Sequence, residues 1–169
     1  MLERKRNKVE LFEKTVDKTM GEKELYFFNL AHDLNLTPKI ISITNSKVTM
    51  ERYDYTCAEL SLLHLSTSGM SSLKEKISFL LKSLHNAEIL HGDLHAYNIV
   101  VKILPNGKIG NVRLIDFEYS LKKTEITKID IERLSDIWHF AHDCPKICQS
   151  IEELFESERD LWVYSFNLK

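Results

Sequence analysis

The segment HGDLHAYN, residues 91–98, sets His91, Asp93, His95 and Asn98 just after an amphipathic stretch and just before an apolar run. A second aspartate, Asp116, ends the apolar run that follows. Two carboxylates and an amide oxygen converging at a hairpin mouth make hard-cation chemistry. Mg2+ takes few protein oxygens, keeps several waters and accepts its remaining ligands from phosphates. In phosphoryl transfer one aspartate orients the attacking hydroxyl while an asparagine and a second aspartate hold the metal. Asp93, Asn98 and Asp116 are candidates for those three tasks. Each also has a plainer use: Asp93 as a turn residue, Asn98 as a strand cap, Asp116 as a strand-end carboxylate. His91 is read as holding the loop backbone by hydrogen bonds under either reading. His95 is either a donor facing a ligand or a packed loop histidine.

The elements that must position these residues follow from periodicity and punctuation. VELFEKTV, residues 9–16, reads as one strand with mixed faces. Thr19 and Glu22 have capping-box spacing, so a helix should begin there and bury Leu25, Phe28 and Ala31 in one stripe. Thr37-Pro38 closes the helical region, since proline disfavours helix in the residue before it. KIISI and KVTMERY read as two strands joined by the turn TNSK. Ser72 and Glu75 form a second capping box, opening a helix that turns Ile77, Leu80, Leu81 and Leu84 inward. NIVVKIL and NVRLIDFEY flank Pro105-Asn106-Gly107-Lys108, a hairpin signal. Helical patterns over IDIERLSDIWHFAHD and SIEELFESERDLW follow. The order predicts an α+β fold with a small sheet-and-helix lobe ahead of a mainly helical one.

The chain has 169 residues, 43% hydrophobic and 28% charged, enough for a single domain of one or two lobes around a real core. Its 23 basic and 25 acidic residues leave a net charge of -2, so no global basic field points to nucleic acid. The cluster Arg4-Lys5-Arg6 with Lys8 reads as a solvated terminus. No apolar run is long enough to span a membrane, and the charged start does not lead into a signal-peptide core. Three cysteines without a repeated framework suit a reducing, intracellular, cytoplasmic setting. His142, Cys144 and Cys148 match no common zinc spacing.

In order along the chain, H-x-D-x-x-x-x-N followed by D-F-x resembles the catalytic and metal-binding loops of the protein-kinase-like superfamily. HGDLH followed by N, then IDFEYS, is most similar to choline and aminoglycoside kinases and to small atypical protein kinases. The likeness continues over roughly residues 9–143. LHNAEILHGDL resembles the helix leading into the catalytic loop. VTMERYDY resembles the hinge, which implies that backbone near Glu51 and Tyr53 binds adenine, with Met50 at the back of the pocket. GEKELYFFNLAHDL resembles the helix whose glutamate orients a phosphate-binding lysine; Glu24 is the candidate, with Lys14 or Lys8 as its partner. SDIWHFAHD resembles the helix whose aspartate, here Asp136, buttresses the catalytic loop from below.

The resemblance implies a minimal two-lobed kinase-like domain over residues 1–169. Residues 1–54 would form a reduced N-lobe lacking the glycine-rich loop, with a hinge near 50–54, and residues 55–169 a mainly helical C-lobe. Asp93 would be the catalytic residue, Asn98 and Asp116 the metal ligands, and His91, His95 and Asp136 supporting residues. ATP and Mg2+ are the implied cofactors. The function expected is phosphotransfer to an alcohol group, as in an atypical serine/threonine protein kinase. A small-alcohol kinase of the choline or aminoglycoside type and a non-catalytic pseudokinase scaffold are the alternatives. The departures are few glycines with no G-x-G cluster, Gly92 where conventional protein kinases carry arginine, and no long activation segment between Asp116 and Asp136.

Overall fold

The computed structural model describes residues 9–61 and 65–125. Lys8, Asp136, the two C-terminal helical patterns and the His142, Cys144 and Cys148 group lie outside the described residues. A four-stranded antiparallel sheet is built from β1 (Val9–Leu11), β2 (Thr15–Thr19), β3 (Ile40–Thr44) and β4 (Lys47–Glu51) in the order β1-β2-β4-β3, with α1 (Glu22–Asp33) between β2 and β3. The segment expected as one strand is thus two. Phe12 N–H donates to Thr15 O at 2.9 Å and turns the chain, so β2 starts one turn later and runs on to Thr19.

The α1 boundaries also differ from the capping-box reading. Thr19 ends β2, the N-cap is Gly21, and no side chain caps the helix. Glu22 and Glu24 in the first turn still complement the helix dipole. The buried stripe holds Glu24, Phe27, Phe28 and Ala31, with Leu25 only partly covered. The helix stops at Asp33 because Asn35 turns left-handed, at φ 59°, before the proline is reached.

Beyond β4 the chain crosses to a second layer through β5 (Tyr55–Thr56) and α2 (Cys57–Ser61). The long helix α3 spans Thr67–Asn86. It starts earlier than the Ser72-Glu75 pair suggests because Ser66 is the N-cap, its hydroxyl accepting from Gly69 N–H at 3.1 Å. Leu73, Ile77, Leu80, Leu81 and Leu84 form its buried face, packed on a sheet of β5, β7 (Ile99–Ile103) and β8 (Ile109–Leu114). β7 and β8 make the expected hairpin, with Gly107 left-handed at φ 74° in its turn. A short pair of β6 (Ile89–Leu90) and β9 (Leu121–Lys122) closes the base of the loop between them. The two layers share a core at Phe117, whose ring stands edge-on to Phe28 of α1 at 6.1 Å and 4.7 Å from the His91 ring. Leu114 N–H also bonds to Leu36 O at 2.8 Å, tying β8 to the chain after α1. No helix among the described residues is long and apolar enough to cross a membrane.

Candidate active site

Alternation along β2 sends Val16, Lys18 and Met20 toward the second layer, while Asp17 on the other face pairs with Lys47 at 2.6 Å and Thr49 at 2.8 Å. Lys18 is the lysine that the fold brings to Glu24 and Asp116. Its Nζ lies 2.5 Å from Glu24 Oε1 and 2.9 Å from Asp116 Oδ1, with only 9% of the side chain exposed. Lys14, one of the two lysines favoured from the sequence, is exposed in the β1–β2 turn. The turn after Leu11 shifts the strand, so the inward lysine comes later than an unbroken strand would put it. Lys18, which sequence reasoning missed, could have been found from the alternation Val16, Lys18, Met20 leading straight into α1.

Burial works against the Lys18 ammonium, but the Glu24 hydrogen bond and the charge of Asp116 outweigh it and hold its pKa above the ordinary lysine value. Burial likewise pushes the Glu24 carboxyl up, with Lys18 opposing it. The ionised pair is the form we retain. A neutral Glu24 would leave a buried ammonium with Asp116 as its one countercharge among the described residues, and Asp116 is 39% exposed.

The 91–98 loop is held from several sides. His91 is fully buried, and its Nε2–H donates to Ile115 O at 3.0 Å. The Ser120 hydroxyl donates to His91 O at 2.9 Å. Gly92 is left-handed at φ 80°, and a Cβ there would sit 2.4 Å from Tyr119 O. The arginine of conventional protein kinases therefore has no room at this position. Asn98 Nδ2 donates to Asp93 O at 2.8 Å and lies 3.2 Å from His95 Nε2. Ile115 N–H donates to Asn98 O at 3.0 Å, which binds the loop to the segment after β8 that carries Asp116. Asp116 itself is left-handed at φ 67°, a conformation aspartate adopts more readily than most residues. Asp93 is a third exposed, with Oδ2 3.7 Å from His95 Nε2.

These bonds leave particular atoms available. Asn98 uses its amide nitrogen on the loop, so Oδ1 is its remaining ligand atom, and Asp116 uses Oδ1 on Lys18, leaving Oδ2. Among the described residues no three His, Cys, Asp or Glu side chains gather to hold a metal. One amide oxygen and one carboxylate oxygen suit a hard cation that completes its shell with phosphate and water, and do not suit zinc.

Lys18 and Asp116 lie in the wall of a cleft of about 290 Å³ that extends past Val16, Met50 and Val100 to Tyr53 and Glu59. Met50 is 4% exposed and faces this space. Along its edge, Glu51 N–H bonds to Lys39 O and Arg52 N–H to Lys14 O, at 2.9 and 3.0 Å. Among the described residues no backbone group engages the Tyr53 N–H. The cleft thus joins an apolar slot and a backbone edge at one end to Lys18 and Asp116 at the other.

A family model described as RIO domain matches residues 2–153. No curated protein matches the chain. Among solved structures, WaaP in complex with acyl carrier protein aligns with a TM-score of 0.58 at 12% identity, over 97% of this chain and 84% of that one. At that identity the likeness is one of fold. The family match covers most of the sequence, so the chain belongs to the RIO domain family, an atypical branch of the protein-kinase-like superfamily, and its α+β architecture is a minimal kinase-like fold.

Proposed function

We propose that this chain is an ATP- and Mg2+-dependent phosphotransferase whose acceptor is a protein serine or threonine hydroxyl, and that residues 1–169 act as one kinase-like domain. The observation that carries this reading is Lys18 bridging Glu24 and Asp116 at the polar end of a cleft whose other end is apolar. Adenine would lie in the slot beside Val16, Met50 and Val100, with its edge on backbone groups of Glu51 and Tyr53. Lys18, oriented by Glu24, would bind phosphate. Mg2+ would be held by Asn98 Oδ1 and Asp116 Oδ2 and would supply neutralising charge to the phosphate oxygens. Asp93, held near His95 and partly exposed, would orient the acceptor hydroxyl and take its proton. His91 fixes the loop through Ile115, and Asp136 is assigned the buttressing role on the sequence resemblance alone.

A protein acceptor is favoured by the family and by the openness of the acceptor side, where Tyr97 is 61% exposed. A non-catalytic nucleotide-binding scaffold has one specific observation in its favour: the β1–β2 turn, Phe12-Glu13-Lys14, contains no glycine to cradle phosphate. The test is Mg-ATP titration followed by thermal unfolding, then incubation with radiolabelled ATP and a panel of protein and small-alcohol acceptors. At one hundred times Kd, ligand should stabilise the fold by about 2.7 kcal/mol. Metal-dependent stabilisation with label on protein hydroxyls supports the proposal. Label on small alcohols alone moves the acceptor class, and stabilisation without transfer favours the scaffold. Absence of both overturns the site.

A further inference from the structure

The segment that crosses between the layers, residues 52–54, is pulled from two sides. On one side the Arg52 guanidinium donates to Phe12 O at 2.8 Å and Arg52 N–H to Lys14 O, fastening the segment to the β1–β2 turn. On the other side lies β7. Asp54 N–H donates to Val101 O at 3.2 Å, and Ile103 N–H donates to the Asp54 carboxylate at 2.7 Å. Those two bonds fix Asp54, which lines the cleft next to Tyr53. The side chain that reaches back to Glu51 and Tyr53 is Lys102. Its ammonium is paired with the Glu51 carboxylate and stands over the Tyr53 ring, 5.3 Å from the centroid.

We infer that Lys102 is a positioning residue for the purine: it clasps Glu51 and Tyr53 from β7 and so sets the backbone edge on which an adenine ring would be read. This rests on the nucleotide reading above. The geometry supports it in three ways. One cation touches both residues that flank Arg52, by ion pairing on one side and ring stacking on the other. The contact joins strands of two different sheets, so it couples the two walls of the cleft where no strand pairing does. It also opposes the pull of the β1–β2 turn, which acts through Arg52 alone. Without Lys102 the edge would follow the turn, and a donor and an acceptor meant for one planar ring would lose their common plane.

A surface ion pair with no such task would behave differently. Both side chains are about a third exposed, and pairs of that kind add little to global stability. Lys102→Met should therefore move the unfolding midpoint by no more than about 2 °C. Its effect should fall on the nucleotide. ATP and ADP should each bind about five- to tenfold more weakly, by the same factor, which is the size of one hydrogen bond loosened at the shared adenine. Lys102→Arg keeps the charge and stacks at least as well on tyrosine, so it should restore affinity.

The experiment is calorimetric titration of parent, Lys102→Met and Lys102→Arg with ATP and ADP in Mg2+, together with amide hydrogen exchange of the ligand-free proteins read at Asp54. Weaker binding in Lys102→Met, rescue in Lys102→Arg and faster Asp54 exchange in Lys102→Met are the results expected. Unchanged affinity and unchanged exchange overturn the clasp. Equal weakening in both variants overturns it too, because arginine preserves both contacts. A parent that binds neither nucleotide overturns the nucleotide reading instead, and Asp54 exchange then decides on its own whether Lys102 orders the edge.

Discussion

Replacing Lys18 with methionine removes the cation that bridges Glu24 and Asp116 while keeping side-chain length and apolar volume. Glu24 is 1% exposed in its side chain, so the variant takes the Lys18 countercharge from a buried carboxylate; Asp116, at 39%, can turn to solvent. Breaking a buried pair by removing one partner typically costs about 3–5 kcal/mol. Because Asp116 regains water, we place this case near the lower end, about 3 kcal/mol, a fall in Tm of roughly 6–12 °C for a domain of this size. The pH dependence has a definite sign. Lys18 has a raised folded pKa, so its contribution is fully present below the ordinary value of 10.5 and is lost as pH climbs through the raised one. The stability gap between parent and variant should therefore stay level from neutral pH to about 10 and close above it. It should also narrow in acid, where Glu24 takes up a proton and no longer needs the countercharge. The double variant Lys18→Met, Glu24→Leu removes the buried charge as well and should recover most of the lost stability without recovering Mg-ATP affinity. The assay is thermal and urea unfolding across pH, beside nucleotide titration. A single variant that matches the parent in both stability and Mg-ATP binding would refute the reasoning.

Three further outcomes follow from individual contacts. Gly92→Ala combines a left-handed backbone with a 2.4 Å approach to Tyr119 O, so unfolding should show a loss of roughly 2–4 kcal/mol, and an unchanged midpoint would mean the loop packs otherwise. Met50→Trp fills the back of the cleft and should weaken nucleotide binding by at least about tenfold at a temperature where the fold is intact; retained affinity would move the adenine site elsewhere. Asp116→Ala should abolish Mg-ATP binding and cost about 1–2 kcal/mol, since alanine is strained at φ 67° and Lys18 keeps Glu24; calorimetry showing parental Mg-ATP affinity would contradict the metal assignment.

The part of the candidate site carried by short spacing could be proposed from the residues alone. HGDLHAYN and IDFEY place Asp93, Asn98 and Asp116 through local order, and the Pro105–Lys108 turn fixes the hairpin between them, so little tertiary information is needed. Lys18 was not legible in the same way. The alternation Val16, Lys18, Met20 points to it, but preferring it to Lys14 depends on whether residues 9–16 are one strand or two, which the Phe12–Thr15 hydrogen bond decides. The first turn of α3 was hidden for a related reason. Ser66 with Gly69 is as good a start as Ser72 with Glu75, and glycine weighs against helix in a propensity reading, while packing of Leu73 and Ile77 settles the start in the fold. Gly92 is an instance where a departure from the superfamily pattern has a steric cause, visible only once Tyr119 is seen to approach its backbone. Glu24 was legible as an acid in the helix, but its burial against a lysine was not, because a charged residue on an apolar face reads as exposed until its partner is known.

The central claim, that Asp93 serves phosphoryl transfer in a nucleotide cleft built by Lys18, Asn98 and Asp116, is tested most directly by single-turnover transfer from radiolabelled ATP in the parent and in Asp93→Asn, with ATP binding measured beside it. Asparagine keeps the size and one acceptor oxygen but removes the charge. ATP affinity should stay within a few fold, because the metal and phosphates are assigned to other residues, while the transfer rate should fall by about two to four orders of magnitude, the contribution of a positioned acid or base. A parent that transfers phosphate and an Asp93→Asn variant that matches its rate would contradict the account.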